Sequence, residues 1–450
     1  MTVTDNLNHQ TSPKQPIVQV DIHKPETFSG IPVAPETIED IDGRQSFLEE
    51  LLLKILYLSG PLTLPKWGDL ARLKPQIVEE LFRRLRTEQL CEVTGMVEYA
   101  RRVAITSQGR SRAAVLMSMN QYAGPAPVSL ESYVRQVRLQ SVRQVEVHPP
   151  AIHRAFAHMV LDDRTLTQLG TALNSGGCIF LYGPTGAGKT TIAEVLPRVL
   201  AGDRVWIPYA VEIDGQVISV YDPLIHKTVE SAPVPNSDPR WLLCHRPTVV
   251  VGGELTIDML DLQFNPVTKF YAAPGQMKAN NGVLIIDDFG RQRLRPEELL
   301  NRWVVPLDRK IDFLTLAGGR KIEIPFELFV VFATNLDPAE LVDTAFLRRI
   351  QTKVRVDMAS ERQFSEIFRR VCHATGLVYD AALIDELMDA LQNRLKEPLR
   401  PCYPRDLVNQ ITWTAKYEGR KARLDRDSLI RAVEAYFLSG REAEKLITTD

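Results

Sequence analysis

Apolar positions recur along this chain with two different periods, and the change of period divides it. Phe47, Leu48, Leu51, Leu52, Ile55 and Leu58 fall at helical spacing, and Gly60-Pro61 ends the run. Shorter helices are expected over 66–73 and 75–89. Pro75 suits a first helical turn, where its missing N–H has no partner to lose. Two strand-like runs follow, 90–93 and 99–105, with a turn expected near Thr94-Gly95. Further on the pattern becomes continuous: Cys178 to Tyr182, Val283 to Ile286 and Phe329 to Phe332 are unbroken apolar runs, the mark of strands covered on both faces. Helical stripes return near the end: Leu383, Ile384, Leu387, Met388 and Leu391; Leu407, Val408 and Ile411; Leu429, Ile430, Val433 and Phe437.

These patterns predict an α/β chain in five parts. Residues 1–44 are polar and rich in proline, and are expected to form a disordered arm because they bury too little surface to offset ordering. Residues 45–122, three helices and then a hairpin, resemble a winged-helix module, an α+β fold. Residues 123–150 read as a linker with a short helix, 151–352 as an α/β core, and 353–450 as a helical lid. Winged helices often bind DNA, but the helix begun by Pro75 opens with Glu79 and Glu80 and carries Arg83, Arg84 and Arg86 late. Groove readers point their N-terminal residues at base edges, so this order favours a protein partner over nucleic acid. The module holds 11 Lys/Arg against 8 Asp/Glu, a surplus of only 3.

Composition changes this picture little. A formal net charge of -2 over 450 residues gives no polyanion-binding signature. No apolar run approaches the roughly 18 residues of a membrane span, so no membrane insertion is expected. The five cysteines are scattered and the eight histidines form no ligand cluster, which points to a reducing cytoplasm.

The chemistry sits where the first continuous run ends. Gly183-Pro184-Thr185-Gly186-Ala187-Gly188-Lys189-Thr190-Thr191 lies between that strand and a helix-like run, 192–200. Its glycines let main-chain N–H groups converge beside a helix N-terminus, a cradle for phosphate. Lys189 would reach the terminal phosphates of a nucleotide and Thr190 would help hold Mg²⁺. A metal-binding carboxylate is then expected on a neighbouring buried strand. Val283-Leu284-Ile285-Ile286-Asp287-Asp288 supplies it, with Asp287 toward Mg²⁺ and Asp288 toward an attacking water.

From these residues the chain resembles the AAA+ P-loop ATPase superfamily over roughly 151–440. That likeness implies a parallel sheet sandwiched by helices under a helical lid, with ATP as the nucleotide. It gives further roles by position: Asn335, ending the third apolar run, as a sensor of the γ-phosphate; Arg349, with Arg348 beside it in Ala345-Phe346-Leu347-Arg348-Arg349-Ile350, as a finger completing a neighbour's site; and Arg405, in Tyr403-Pro404-Arg405, as a lid sensor. A finger acting in trans implies a homo-oligomeric ring, of hexameric size by that resemblance. Paired runs around Gly318-Gly319 read as a hairpin, similar to the pre-sensor-1 hairpin of the MoxR-like group. Family members usually have Glu where Asp288 stands, and the shorter side chain sets its carboxylate back by roughly 1.5 Å, which predicts slow hydrolysis.

Two functions compete. One is an ATPase that remodels or assembles a protein partner. The other is an ATP-gated binding module, or a DNA-bound regulator, with little hydrolysis. No Asn-Lys-x-Asp guanine reader and no Leu-Ser-Gly-Gly transporter run occurs. Lys189 and Asp287 are separated by 98 positions (287 − 189), which leaves room for insertions; the run 211–218 within them reads as a hairpin on Asp214-Gly215.

Overall fold

The computed structural model describes residues 30–230, 234–341 and 347–437. Its N-terminal part holds helices α1 (Gln45–Ser59), α2 (Leu64–Ala71), α3 (Pro75–Thr87) and α4 (Ser107–Met119). An antiparallel sheet of β1 (Leu62–Thr63), β2 (Cys91–Val97) and β3 (Ala100–Ile105) runs in the order β1-β3-β2. The apolar stripe of α1 meets Trp67, Ile77, Leu81 and Val103 in one core, and Trp67 donates its indole N–H to the Leu52 carbonyl at 2.9 Å. The hairpin turns at Glu98 and Tyr99, both at positive φ (46° and 65°), four residues beyond the expected Thr94-Gly95. Thr94-Gly95 instead lies where the register shifts between Val93 and Gly95, so its glycine marks a bulge within β2.

Two boundaries differ from expectation. Residues 30–44 were expected to be part of the disordered arm, yet Ala34, Ile38 and Ile41 are buried. Ala34 N–H donates to the Asn236 carbonyl at 3.0 Å, and Asp238 N–H donates to the Pro32 carbonyl at 2.8 Å. Isolated apolar residues among prolines carry no period, so this packing left no trace in the pattern. The rest of that arm, 1–29, lies outside the described residues. The stretch 123–150 is likewise more than a linker. Val128–Ser129 pairs in parallel with Ala210–Ile213, and helix Leu130–Leu139 buries Tyr133, Val134 and Val137.

Five parallel strands form the central sheet, in the order Thr248–Val251, Val283–Ile286, Phe329–Thr334, Cys178–Tyr182, Thr352–Arg355. Alternation along each strand sends side chains to opposite faces. Ile179, Leu181, Ile285 and Val331 meet helices Asp163–Ser175 and Lys189–Val195 on one side. Phe180, Leu284, Ile286 and Phe332 meet Leu299, Leu300 and Trp303 of helix Pro296–Arg309 on the other. That double cover explains the unbroken apolar runs. Order within the sheet corrects one expectation: Phe329–Thr334 intervenes between the glycine-loop strand and the strand that ends at Asp287, so the two are not adjacent.

The 98-position gap holds a second, β-rich layer. Arg204–Pro208 pairs with Trp241–His245, and Ala210–Ile213 pairs with Gln216–Ser219 through the expected Asp214-Gly215 turn. The Gly318-Gly319 hairpin is Ile311–Thr315 with Lys321–Pro325, and its Leu314, Ile322 and Ile324 pack into this layer. Helices Glu361–Thr375, Ala381–Asp389, Tyr403–Tyr417 and Arg426–Tyr436 share the C-terminal core. The first of them was not expected from the stripes; Ser360 and Gln363 start it with a reciprocal capping box. Among the described residues no helix is long and apolar enough to cross a membrane.

Candidate functional site

Tyr182 ends its strand and the chain turns at once through Gly183, Gly186 and Gly188, all at positive φ (143°, 84° and 94°). Gly183 has no room for a side chain, because an added Cβ would run into the Val356 carbonyl. The helix Lys189–Val195 then begins, shorter than the run 192–200 suggested, since Pro197 falls in a 3-10 turn, Leu196–Leu200. Lys189 is buried and donates to the carbonyls of Gly183 and Pro184 at 2.9 and 2.8 Å, so the loop is clasped by its own lysine. Burial holds its ammonium below the usual lysine range, and the carboxylates of Asp287 and Asp288 oppose that shift.

Two strands away, Asp287 arrives at the same place. Thr190 Oγ1 donates to Asp287 Oδ1 at 3.2 Å across 97 positions of sequence. The Asp288 N–H donates to the same oxygen at 3.0 Å, and Gln292 Nε2 holds the Asp287 carbonyl at 2.9 Å. Asp288 sits at φ 49°, a left-handed conformation that aspartate tolerates better than most residues. Between these elements, at the tip of the intervening strand, Asn335 Nδ2 donates to Thr185 Oγ1 at 3.0 Å, while its buried Oδ1 has no partner.

Lys189, Thr190, Asp287, Asp288 and Asn335 line one cavity of about 720 Å³, and Arg405 reaches its rim. Arg405 is exposed and pairs with its neighbour Asp406 at 3.4 Å. The cavity has an apolar end that the sequence reading did not find. Met159, Val160 and Leu161 form one wall, and Ile367, Val371 and Ala374 of helix Glu361–Thr375 the other. Arg370 ties the walls together by donating to the carbonyls of Ala157 and Met159 at 2.9 and 3.1 Å. A signal existed: this helix carries two apolar stripes, 364/368/372 and 367/371/374; the first is buried in the C-terminal core, whereas of the second only Val371 packs against it. Glu254 accepts from the Gly252 N–H at 3.0 Å, a local turn contact that holds its carboxyl below the usual range.

Arg349 is not brought to this cavity. Its carbonyl accepts from Cys178 Sγ at the start of the glycine-loop strand, and its Nε donates to Asp308 at 2.9 Å. Ala345 and Phe346 of the expected finger segment lie outside the described residues. Around Arg349 is a separate cavity of about 560 Å³, shared with Arg143, Lys310 and Arg348.

Comparison with known proteins adds a limited frame. Residues 360–435, the four C-terminal helices, match a domain of unknown function, DUF8689. No curated protein matches the chain. Among solved structures, NtrX from Brucella abortus in complex with ADP is similar at TM-score 0.38 and 14% identity, over 61% of this chain and 55% of that one. The same protein in complex with ATP gives 0.38 and 14%, over 69% and 62%. The Thermotoga maritima RuvB Holliday junction branch migration motor gives 0.34 and 13%, over 61% and 69%. The chain thus spans little more than half of the NtrX chain. With TM-scores of 0.34 to 0.38 and identities of 13 to 14%, these are distant likenesses.

Proposed function

We propose that this chain is an AAA+ ATPase that binds ATP with Mg²⁺ at the 183–191 loop and hydrolyses it within a homo-oligomeric ring, to remodel or assemble a protein partner. One observation carries the reading: Lys189, Thr190, Asp287 and Asn335, which follow three strands of one sheet, line one cavity together with apolar side chains at 159–161 and 367–374. A nucleoside triphosphate has the same division. In this reading Lys189 exchanges the Gly183 and Pro184 carbonyls for phosphate oxygens, and the apolar walls at 159–161 and 367–374 take the base.

The donor set suits Mg²⁺, which prefers few protein oxygens and keeps water or phosphate on its other positions. Thr190 Oγ1 and Asp287 would hold it. No cluster of three or more His, Cys, Asp or Glu exists among the described residues that would select another metal. When bound, the ion would neutralise charge on the phosphates. Asp288 would orient the attacking water and Asn335 would contact the terminal phosphate. Titration with a fluorescent ATP analogue tests the cradle. Lys189→Ala should weaken binding at least about tenfold, the worth of a lost charge-assisted hydrogen bond; unchanged affinity would refute it.

Asp288 favours a second reading, an ATP-gated module with slow turnover. Its carboxylate is one methylene shorter than the usual glutamate and is set on a left-handed residue. Tight ATP binding with negligible phosphate release would select this alternative.

For the partner, we infer a cytoplasmic protein docked by the N-terminal module, which we take to be a winged helix. Its hairpin exposes Met96, Val97 and Tyr99. Arg101 is tied to Glu79 at 2.7 Å, and Arg84 to Glu80 at 2.6 Å, so these cations are already occupied. Exposed aromatic and aliphatic side chains among neutralised arginines suit a protein surface better than phosphate.

A further inference from the structure

We propose that Arg400 is a positioning residue that couples the nucleotide loop to the C-terminal helices. The proposal rests on the nucleotide-binding reading above. Arg400 lies just before helix Tyr403–Tyr417, and its Nη1 donates to the Thr185 carbonyl at 3.5 Å. Its Nη2 meets Glu397 at 3.3 Å, and Glu397 also accepts from the Tyr403 hydroxyl at 2.9 Å. The guanidinium stands 5.7 Å from the centroid of the Tyr403 ring. Gly186, at φ 84°, nests against the same segment: an added Cβ there would come within 3.0 Å of Arg400 Cδ and 3.5 Å of Cys402 Sγ.

Thr185 is therefore gripped twice. Asn335 holds its hydroxyl at 3.0 Å, and Arg400 holds its carbonyl. On the far side the chain of contacts continues. Tyr403 packs edge-on against Tyr436 and Phe437, and the Tyr436 hydroxyl donates to Asp406 at 2.9 Å. A continuous path thus runs from the tip of the central sheet, through one loop residue, to the last described helix.

Both ends of the grip hold spare capacity. Asn335 Oδ1 and Arg400 Nε are buried and have no hydrogen-bond partner. A buried polar atom left unpaired is costly, so the arrangement favours a second state in which these atoms are satisfied. The Arg400 contact, at 3.5 Å, is at the long limit of a hydrogen bond and is cheap to break. When Asn335 turns its amide to a terminal phosphate, Thr185 loses one of its two holds, and the loop and Arg400 resettle together. Arg405, by contrast, is exposed and has no hydrogen bond to the 183–191 loop, so in this state the loop is held from the lid through Arg400.

The test compares full-length wild type, Arg400→Ala, Arg400→Lys and Glu397→Gln. Each is titrated with fluorescent ADP and a slowly hydrolysed ATP analogue, and hydrogen exchange is followed in helix Tyr403–Tyr417. Wild type should show exchange that differs between the two nucleotides. Arg400→Ala should still bind but lose most of that difference, and the preference between nucleotides should change about fivefold or more. Lysine should restore part of the effect, and Glu397→Gln should move it the same way without removing the side chain at 400. Three results would overturn the proposal: a nucleotide-dependent difference that survives in Arg400→Ala; binding lost as severely as in Lys189→Ala, which would make Arg400 a phosphate ligand; or failure of wild type to bind either nucleotide. The last would also sink the nucleotide-binding reading, whereas the first two leave it standing.

Discussion

At its C-terminal end the strand Cys178–Tyr182 enters a loop whose lysine is satisfied at home, by two carbonyls, with two carboxylates close by. At its N-terminal end Cys178 opens onto a cavity lined by Arg143, Lys310, Arg348 and Arg349, the last paired with Asp308. Burial and the nearby Arg143 hold Lys310 below the usual lysine range. The strand is five residues long, roughly 13 Å from end to end, too far for Arg349 to serve the loop of its own chain. The first end sets Lys189 beside Asp287 and Asp288, the groups that the proposed triphosphate and metal would use. The second lines its cavity with four cations and one carboxylate, Arg143 being paired besides with Glu327 at 3.3 Å, a surplus that would attract an anion. If the two ends are halves of one site, they meet only between copies of the chain.

The largest test of that pairing is Arg349→Ala. Turnover should fall about 10³-fold with ATP binding retained, and mixing this variant with Asp288→Asn should restore activity at mixed interfaces. If Arg349 serves only its ion pair with Asp308, the variant will lose stability in urea and keep its turnover, and the comparison breaks. Next in size is Gly183→Ala at the loop end. With φ 143° and the Val356 carbonyl against the new Cβ, it should lose about 2 kcal/mol or more in urea unfolding and lose nucleotide binding with it. Unchanged stability would show that the loop is not closed over that carbonyl.

The smallest effect is on acid stability. Hydrogen bonds from Arg369 and Arg370 hold the half-buried Glu366 carboxyl down at about 2. A depressed carboxylate contributes stability that is complete above the ordinary glutamate range and is lost as pH falls toward 2. The gap between wild type and Glu366→Gln in urea midpoint should therefore be constant near neutrality and close across the acid range. Because Arg370 also holds the wall at Ala157 and Met159, the variant should weaken nucleotide binding slightly at neutral pH.

Legibility followed the range of the interaction. Gly183, Gly186 and Gly188 announced a turn because their conformations are needed within one short loop. The runs at 178, 283 and 329 announced buried strands because both faces of each are covered. Ala34, Ile38 and Ile41 announced nothing: Ala34 is held by Asn236, far along the chain, and Ile38 and Ile41 join a core that reaches from Phe47 to Val217 without setting a period of their own. The stripe 367/371/374 was hidden for a related reason. An apolar face looks the same in sequence whether it meets a core or lines a cavity.

Taken alone, then, the order of amino acids determined the local chemistry of this protein: a phosphate-type loop, two carboxylates and an asparagine at strand ends, and helices with one apolar side. Only the tertiary structure decided that Phe329–Thr334 lies between the loop strand and the carboxylate strand, that Thr190 and Asp287 come within 3.2 Å, and that Arg349 faces away from them. The physical reason is that side-chain alternation and backbone conformation act over a few residues. Strand order, by contrast, is chosen by which buried faces fit together across the whole sheet.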